Sequence, residues 1–157
     1  MSLLDDETLK EVGRVTIEFN TLDELITVLA AAIFECTEWS TAEYLRKHFT
    51  GPKLEQIKGV CNILADAHGI RTTSHRALLD QIELSEAILK ERNTIIHGEL
   101  TIENGKRPRV HLKKSTVELS PQTLSELVQK INRATDGLLT TYYDFMDAVY
   151  KARDAKK

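Results

Sequence analysis

The chain has 157 residues, 41% of them hydrophobic and 29% charged, with 7 glycines and 3 prolines. That composition excludes disordered, collagen-like and low-complexity classes, and at roughly 100–200 residues per domain the length fits one domain over residues 1–157. The net charge of −3 is too small to announce a nucleic-acid or membrane partner, but it hides a segregation: residues 1–40 carry nine acids and two bases, net −7, and residues 41–157 carry fifteen acids and nineteen bases, net +4. An anionic ligand is therefore to be sought after residue 40.

Val12, Val15, Phe19, Leu22, Ile26, Leu29 and Ile33 recur at alternating spacings of three and four, which predicts one long amphipathic helix over about residues 8–37. The longest apolar run, Leu25 to Phe34, is about ten residues against the ~20 that cross a bilayer. It follows the acidic Asp5, Asp6 and Glu7, the reverse of a signal peptide's basic start. The expectation is a soluble cytoplasmic protein with no membrane partner. Cys36 and Cys61 have apolar neighbours and no CxxC spacing, so they read as reduced core thiols, and neither a metal site nor a cofactor is called for.

Ser40 stands three residues before Glu43, a capping-box spacing that predicts a short helix through about His48. Pro52 opens a helix over 52–68, with Leu54, Ile57, Cys61 and Leu64 on one face and Gly69 as its C-terminal cap. Thr72, Thr73 and Ser74 offer N-caps for a third long helix that stops at Gly98. Its core-facing series from Leu78 falls on Ile82, Ser85, Leu89, Arg92 and Ile96, so a serine and an arginine interrupt the apolar row. After Gly98 the period becomes two. Leu100 and Ile102, then Val110 and Leu112, flank the turn dipeptide Asn104-Gly105, which predicts a hairpin within an insertion of about 99–118. Pro108 makes it an edge ribbon. Ser120-Pro121 opens the last helix, whose stripe of Leu124, Val128, Ile131, Leu138, Tyr142, Phe145 and Val149 runs to about residue 150, before a basic tail, about 151–157, expected to fray. The fold expectation is all-α: a four- to five-helix bundle with a small β-hairpin inserted before the last long helix.

The chain contains no GxxxxGK[ST], GxGxxG, GxSxG or HExxH. His48, His68 and His75 stand near helix ends, where a cation meets the last carbonyls or water. What remains is Glu91-Arg92-Asn93-Thr94-Ile95-Ile96-His97-Gly98 at the end of the third long helix. Arg-Asn, three residues, then His-Gly resembles the Rx4-6H signature of the HEPN superfamily: Arg92 matches the family arginine, Asn93 the polar residue that often follows it, and His97 the histidine after four intervening positions. No other arginine here has a histidine five to seven residues downstream. The resemblance covers roughly residues 8–150. It implies a HEPN-like bundle, a metal-independent endoribonuclease leaving a 2′,3′-cyclic phosphate, and a homodimer whose motif helices face each other around a shared cleft. It also implies a place in toxin–antitoxin or other defence systems, with a neutralising antitoxin protein as partner. The alternative is a non-catalytic HEPN dimer that binds RNA or protein.

The residue chemistry matches that role. Cleaving RNA by attack of its own 2′-hydroxyl needs a base, an acid and fixed positive charge for the phosphorane-like transition state. His97 suits the proton transfers, because the imidazole side chain is the one type that ordinarily changes charge near neutral pH. Arg92 stays ionised and grips phosphate oxygens bidentately. Asn93, four residues before His97 and about 40° away around the helix, is placed to orient the ring. Arg92 lies about 140° from His97, so either the helix loosens before Gly98 or a second copy of the chain completes the site. The bland reading of the same residues pairs Arg92 with an acid of the first helix, Glu18, Asp23 or Glu24, and makes His97-Gly98 a helix terminus. Lys106, Arg107, Arg109, His111, Lys113 and Lys114, in a stretch without an acid, are candidate contacts to an RNA backbone. Equally they are the charges that keep an edge ribbon from pairing with another chain. No aromatic interleaves them, so a base-stacking platform is not indicated.

Overall fold

A computed structural model describes residues 4–33, 48–103 and 106–156. Helices α1 (Asp6–Ile33), α2 (Thr50–His68) and α3 (Thr73–His97) are followed by strands β1 (Glu99–Thr101), β2 (Arg109–Leu112) and β3 (Ser115–Glu118) and by helix α4 (Pro121–Asp154). The all-α bundle with a small β insertion before its last helix is the observed architecture. The predicted short helix from Ser40, residues 34–37 of the first helix, Cys36 and the Asn104-Gly105 turn lie outside the described residues.

Asp5 caps α1, its carboxylate accepting from the Thr8 N–H at 2.7 Å, and the acids Asp6 and Glu7 in the first turn suit the positive end of the helix dipole. The predicted stripe from Val15 to Ile33 is buried, and Val12 is partly so. α4 starts as its sequence predicts, with Ser120 Oγ accepting from the Thr123 N–H at 3.2 Å and Pro121 in the first turn. These two long helices run parallel: Asp5 and Thr8 share a cleft with Pro121 and Gln122 at one end, and Ile33 lines another with Met146 and Val149 at the far end. α3 runs antiparallel to α4, with Glu91 beside Lys130 and His75 against Phe145. The tail keeps its helix to Asp154 instead of fraying from residue 151, because Lys151 pairs with Asp147 at 2.6 Å and Lys156 Nζ reaches the Ala67 carbonyl at 3.2 Å. Among the described residues, no helix is long and apolar enough to cross a membrane.

α2 ends at Gly69 in the left-handed conformation, φ 67°, as a C-terminal glycine cap predicts. Gly98 ends α3 differently. Its backbone is extended, φ −81° and ψ 168°, and the glycine is required by close approach: a Cβ there would collide with the Thr94 carbonyl and the Val110 side chain and lie 2.8 Å from the His111 carbonyl. The chain thus turns from α3 directly under β2.

One further expectation needs correction, and the hairpin is extended. The core face of α3 does not follow Leu89 and Ile96 to its end. Ile88 and Ile95 are the buried residues, Leu89 is partly buried and Ile96 is 37% exposed, because the C-terminal half of α3 packs against β2 and β3 as well as against helices. The hairpin gains a third strand, giving an antiparallel sheet in the order β1-β2-β3 with Leu100 opposite Val110 and Val110 opposite Val117. The second turn consists of Lys113 and Lys114 between the paired Leu112 and Ser115. Lys113 adopts φ 54°, the left-handed region that glycine or asparagine ordinarily supplies in such turns. Val110 and Val117 anchor the sheet in the core.

Candidate RNA-cleavage site

Arg92 lies about a turn and a half before the end of α3 and is half-buried. Its guanidinium carbon sits 5.0 Å from the centre of the Phe19 ring on α1. Its Nη1 donates to Asn93 Oδ1 at 3.1 Å, and its Nε is buried with no hydrogen-bond partner among the described residues. No acid of α1 neutralises it: Asp23 instead takes Lys53 Nζ at 2.7 Å and the Thr50 hydroxyl at 2.7 Å. Among the described residues, Arg92 has no carboxylate partner. The ring face attracts a cation, typically by ~0.5–2 kcal/mol, without cancelling its charge. The positive field of Arg92 is therefore available to an added anion.

His97 is the last residue of α3 and is exposed, with no side-chain hydrogen bond among the described residues. The expected Asn93–His97 bond is not formed. Asn93 Oδ1 is occupied by the guanidinium, so this residue positions Arg92 and leaves the imidazole unoriented. Arg92 turns toward α1 while His97 points outward, as the ~140° between them on the helix requires. A single chain presents the two groups without converging them.

The six basic candidates of the ribbon divide into two sets. Lys106, Arg107, Arg109 and His111 line a small cleft of about 40 Å³ with Thr101 and Glu103. Their charge is partly cancelled there, since Lys106 pairs with Glu103, and Arg107 with Glu118 at 3.0 Å. His111 Nδ1 hydrogen-bonds the Thr116 hydroxyl at 2.9 Å. The acids lie outside the stretch, Glu103 just past β1 and Glu118 at the end of β3, which is why a stretch without its own acid is nevertheless partly neutralised. Lys113 and Lys114 face the other way, onto a groove of about 530 Å³ between α3 and the β2–β3 turn. On the helix side that groove is lined by Glu86, Leu89, Lys90 and Asn93.

Sequence reasoning missed Phe19 as the seat of Arg92, and Glu86, Leu89 and Lys90 as groove residues. The groove residues carry a signal in hindsight: positions 86, 90, 93 and 97 share one face of an α-helix. Glu86 has one carboxylate oxygen buried without a partner among the described residues. Burial pushes its pKa up against the pull of Lys58, and Glu55 and Glu83 add to the rise. Among the described residues, no cluster of three or more His, Cys, Asp or Glu side chains is placed to hold a metal ion. No family model matches the chain, and neither a curated protein nor a solved structure matches it. The HEPN resemblance rests on Arg92, Asn93, His97 and Gly98 and on the helical layout around them.

Proposed function

We propose that the protein is a HEPN-type endoribonuclease that cleaves RNA by attack of the 2′-hydroxyl on the adjacent phosphate. The observation that carries this reading is a guanidinium held by Phe19 and Asn93 five residues before an exposed imidazole, the first without a carboxylate partner and the second without a hydrogen bond among the described residues. Arg92 stabilises the charge that develops on the phosphate oxygens. His97 moves the proton, taking it from the 2′-hydroxyl or returning it to the leaving 5′-oxygen. Asn93 fixes the guanidinium. One His97 cannot serve both transfers at once, and Arg92 and His97 diverge within one chain, so the working unit is a homodimer in which α3 of one copy faces α3 of the other. The setting is cytoplasmic, in keeping with a reduced Cys61 whose thiol is pushed up to about 12 by burial. A toxin or defence component neutralised by an antitoxin protein is the role the resemblance adds.

The divergence of Arg92 and His97 within one chain also favours a second reading, a dimer that binds RNA without cutting it. Incubating the protein with single-stranded RNA in EDTA separates the two. The nuclease yields fragments ending in 2′,3′-cyclic phosphate, and His97→Ala and Arg92→Ala yield none; binding with no cleavage by wild type leaves only the binding module. Sedimentation tests the dimer, with about twice the chain mass of 17.8 kDa expected. A monomer at tens of micromolar removes the shared cleft.

A further inference from the structure

The groove between α3 and the β2–β3 turn is not accounted for by the Arg92–His97 chemistry. Its volume, about 530 Å³, falls within the ~300–1,000 Å³ of small-ligand sites. Its walls are of two kinds: Leu89 and Leu112 are aliphatic, while Lys90, Lys113 and Lys114 supply cations against a single acid, Glu86. None of these three lysines has an ion-pair partner among the described residues, in contrast to Lys106 and Arg107 on the opposite side of the ribbon.

Two further observations point the same way. Lys113 occupies a left-handed turn position, φ 54°, where glycine is free of strain, so the backbone tolerates a cost in order to present a lysine at the groove's edge. Asn93 belongs to both places, lining the groove and holding the guanidinium of Arg92 at 3.1 Å. A ligand seated in the groove therefore ends one side chain away from Arg92, and one helical turn beyond Asn93 stands His97.

We infer that this groove is a nucleotide subsite, which holds one unstacked nucleotide of a single-stranded RNA next to the scissile bond, its base against Leu89 and Leu112 and its phosphate on Lys113 and Lys114. The inference rests on the nuclease reading for the scissile bond, but not for the binding itself. A duplex is excluded by the chemistry of the walls, because paired bases keep their faces stacked inside the helix and offer the two leucines nothing apolar to cover. Leu89 and Leu112 cover a base without hydrogen-bonding its edge, so the subsite tolerates all four bases.

The test is binding of a short fluorescein-labelled 2′-O-methyl oligoribonucleotide, which lacks the attacking hydroxyl and so reads the groove independently of cleavage. Lys113→Gly combined with Lys114→Ala is expected to weaken binding about tenfold and to flatten the salt dependence by about 0.7 log units per log unit, the value for one phosphate contact on a single strand. Its melting temperature stays unchanged or rises. Lys151→Ala with Lys156→Ala makes the same change of charge at the far end of the bundle and is expected to leave the affinity within about twofold. Unlabelled single strands compete and duplex RNA does not. Equal weakening by both double variants, no weakening by the groove variant, or competition by duplex overturns the subsite. If the groove variant alone loses binding while wild type leaves ordinary RNA uncut in EDTA, the subsite stands and the nuclease falls; cleavage by wild type with undiminished binding by the variant has the reverse meaning.

Discussion

Two cations dock on successive turns of α1, and their surroundings differ. Lys53 of α2 is 1% exposed, and its ammonium donates to Asp23 at 2.7 Å and to the Thr27 hydroxyl at 2.8 Å. One turn earlier on α1, Arg92 of α3 rests on the Phe19 ring with an amide for company and no carboxylate among the described residues. The first arrangement satisfies a buried charge and clamps α2 to α1. The second supports the shape and the desolvation of a cation without matching its charge, which leaves attraction for an anion from outside. Paired and unpaired cations at the same helix thus differ in whether charge is left over for a ligand, which is what the proposed nuclease asks of Arg92.

The largest effect expected is on the clamp. Asp23→Ala strands the Lys53 ammonium in the core and should lower stability in urea by about 3–5 kcal/mol. Arg92→Ala should lower stability by no more than about 2 kcal/mol, the lost cation–ring contact, while the proposed RNA cleavage falls at least about a hundredfold, the usual cost of a missing donor to a developing oxyanion. If Arg92→Ala destabilises the fold as much as Asp23→Ala does, the two cations are of one kind and the contrast fails. Lys113→Gly sharpens the division from the other side: relief of the left-handed backbone should raise stability by about 1 kcal/mol as RNA binding weakens. A drop in stability there would reveal a structural role for that lysine.

The smallest effect concerns a third base on the bundle, one kept neutral. His75 is buried, hydrogen-bonded through Nε2 to Asn62 at 3.1 Å and packed on Phe145. Burial lowers its pKa, with nearby Arg71 reinforcing the shift and Asp66 opposing it. The unfolded chain therefore takes up the proton first, so the stability that His75 contributes is present above its ordinary pKa of about 6.5 and is lost as pH falls from there toward the depressed folded value. His75→Gln should flatten the stability profile in that acidic window, and an unchanged profile would show that the imidazole titrates alike in both states.

Much of this was legible in the residues. The stripe from Val15 to Ile33, the Ser120-Pro121 start of α4, the Gly69 cap and the basic lysines of the ribbon all follow from contacts within a few positions of the chain. The failures were of one type. Ile88 and Ile95, not Leu89 and Ile96, face the core because a sheet packs on that end of α3, and periodicity alone does not say which flank a partner will cover. The β2–β3 turn escaped notice because Lys113-Lys114 lacks the glycine or asparagine that marks such turns. Arg92 and His97 stood out by type and spacing, but their partners did not: the acid expected for Arg92 belongs to Lys53.

What the sequence determined by itself was the four long helices, the Ser120 and Gly69 caps and the short list of residues able to handle a phosphate, since these depend on interactions between near neighbours whose geometry the backbone supplies. Only the tertiary structure decided that Asp23 answers Lys53, that Phe19 carries Arg92, and that Lys113 and Lys114 meet Asn93 across a groove. Those pairings join segments far apart in the chain, and the identity of the partner is settled by how whole helices pack, an outcome no local spacing encodes.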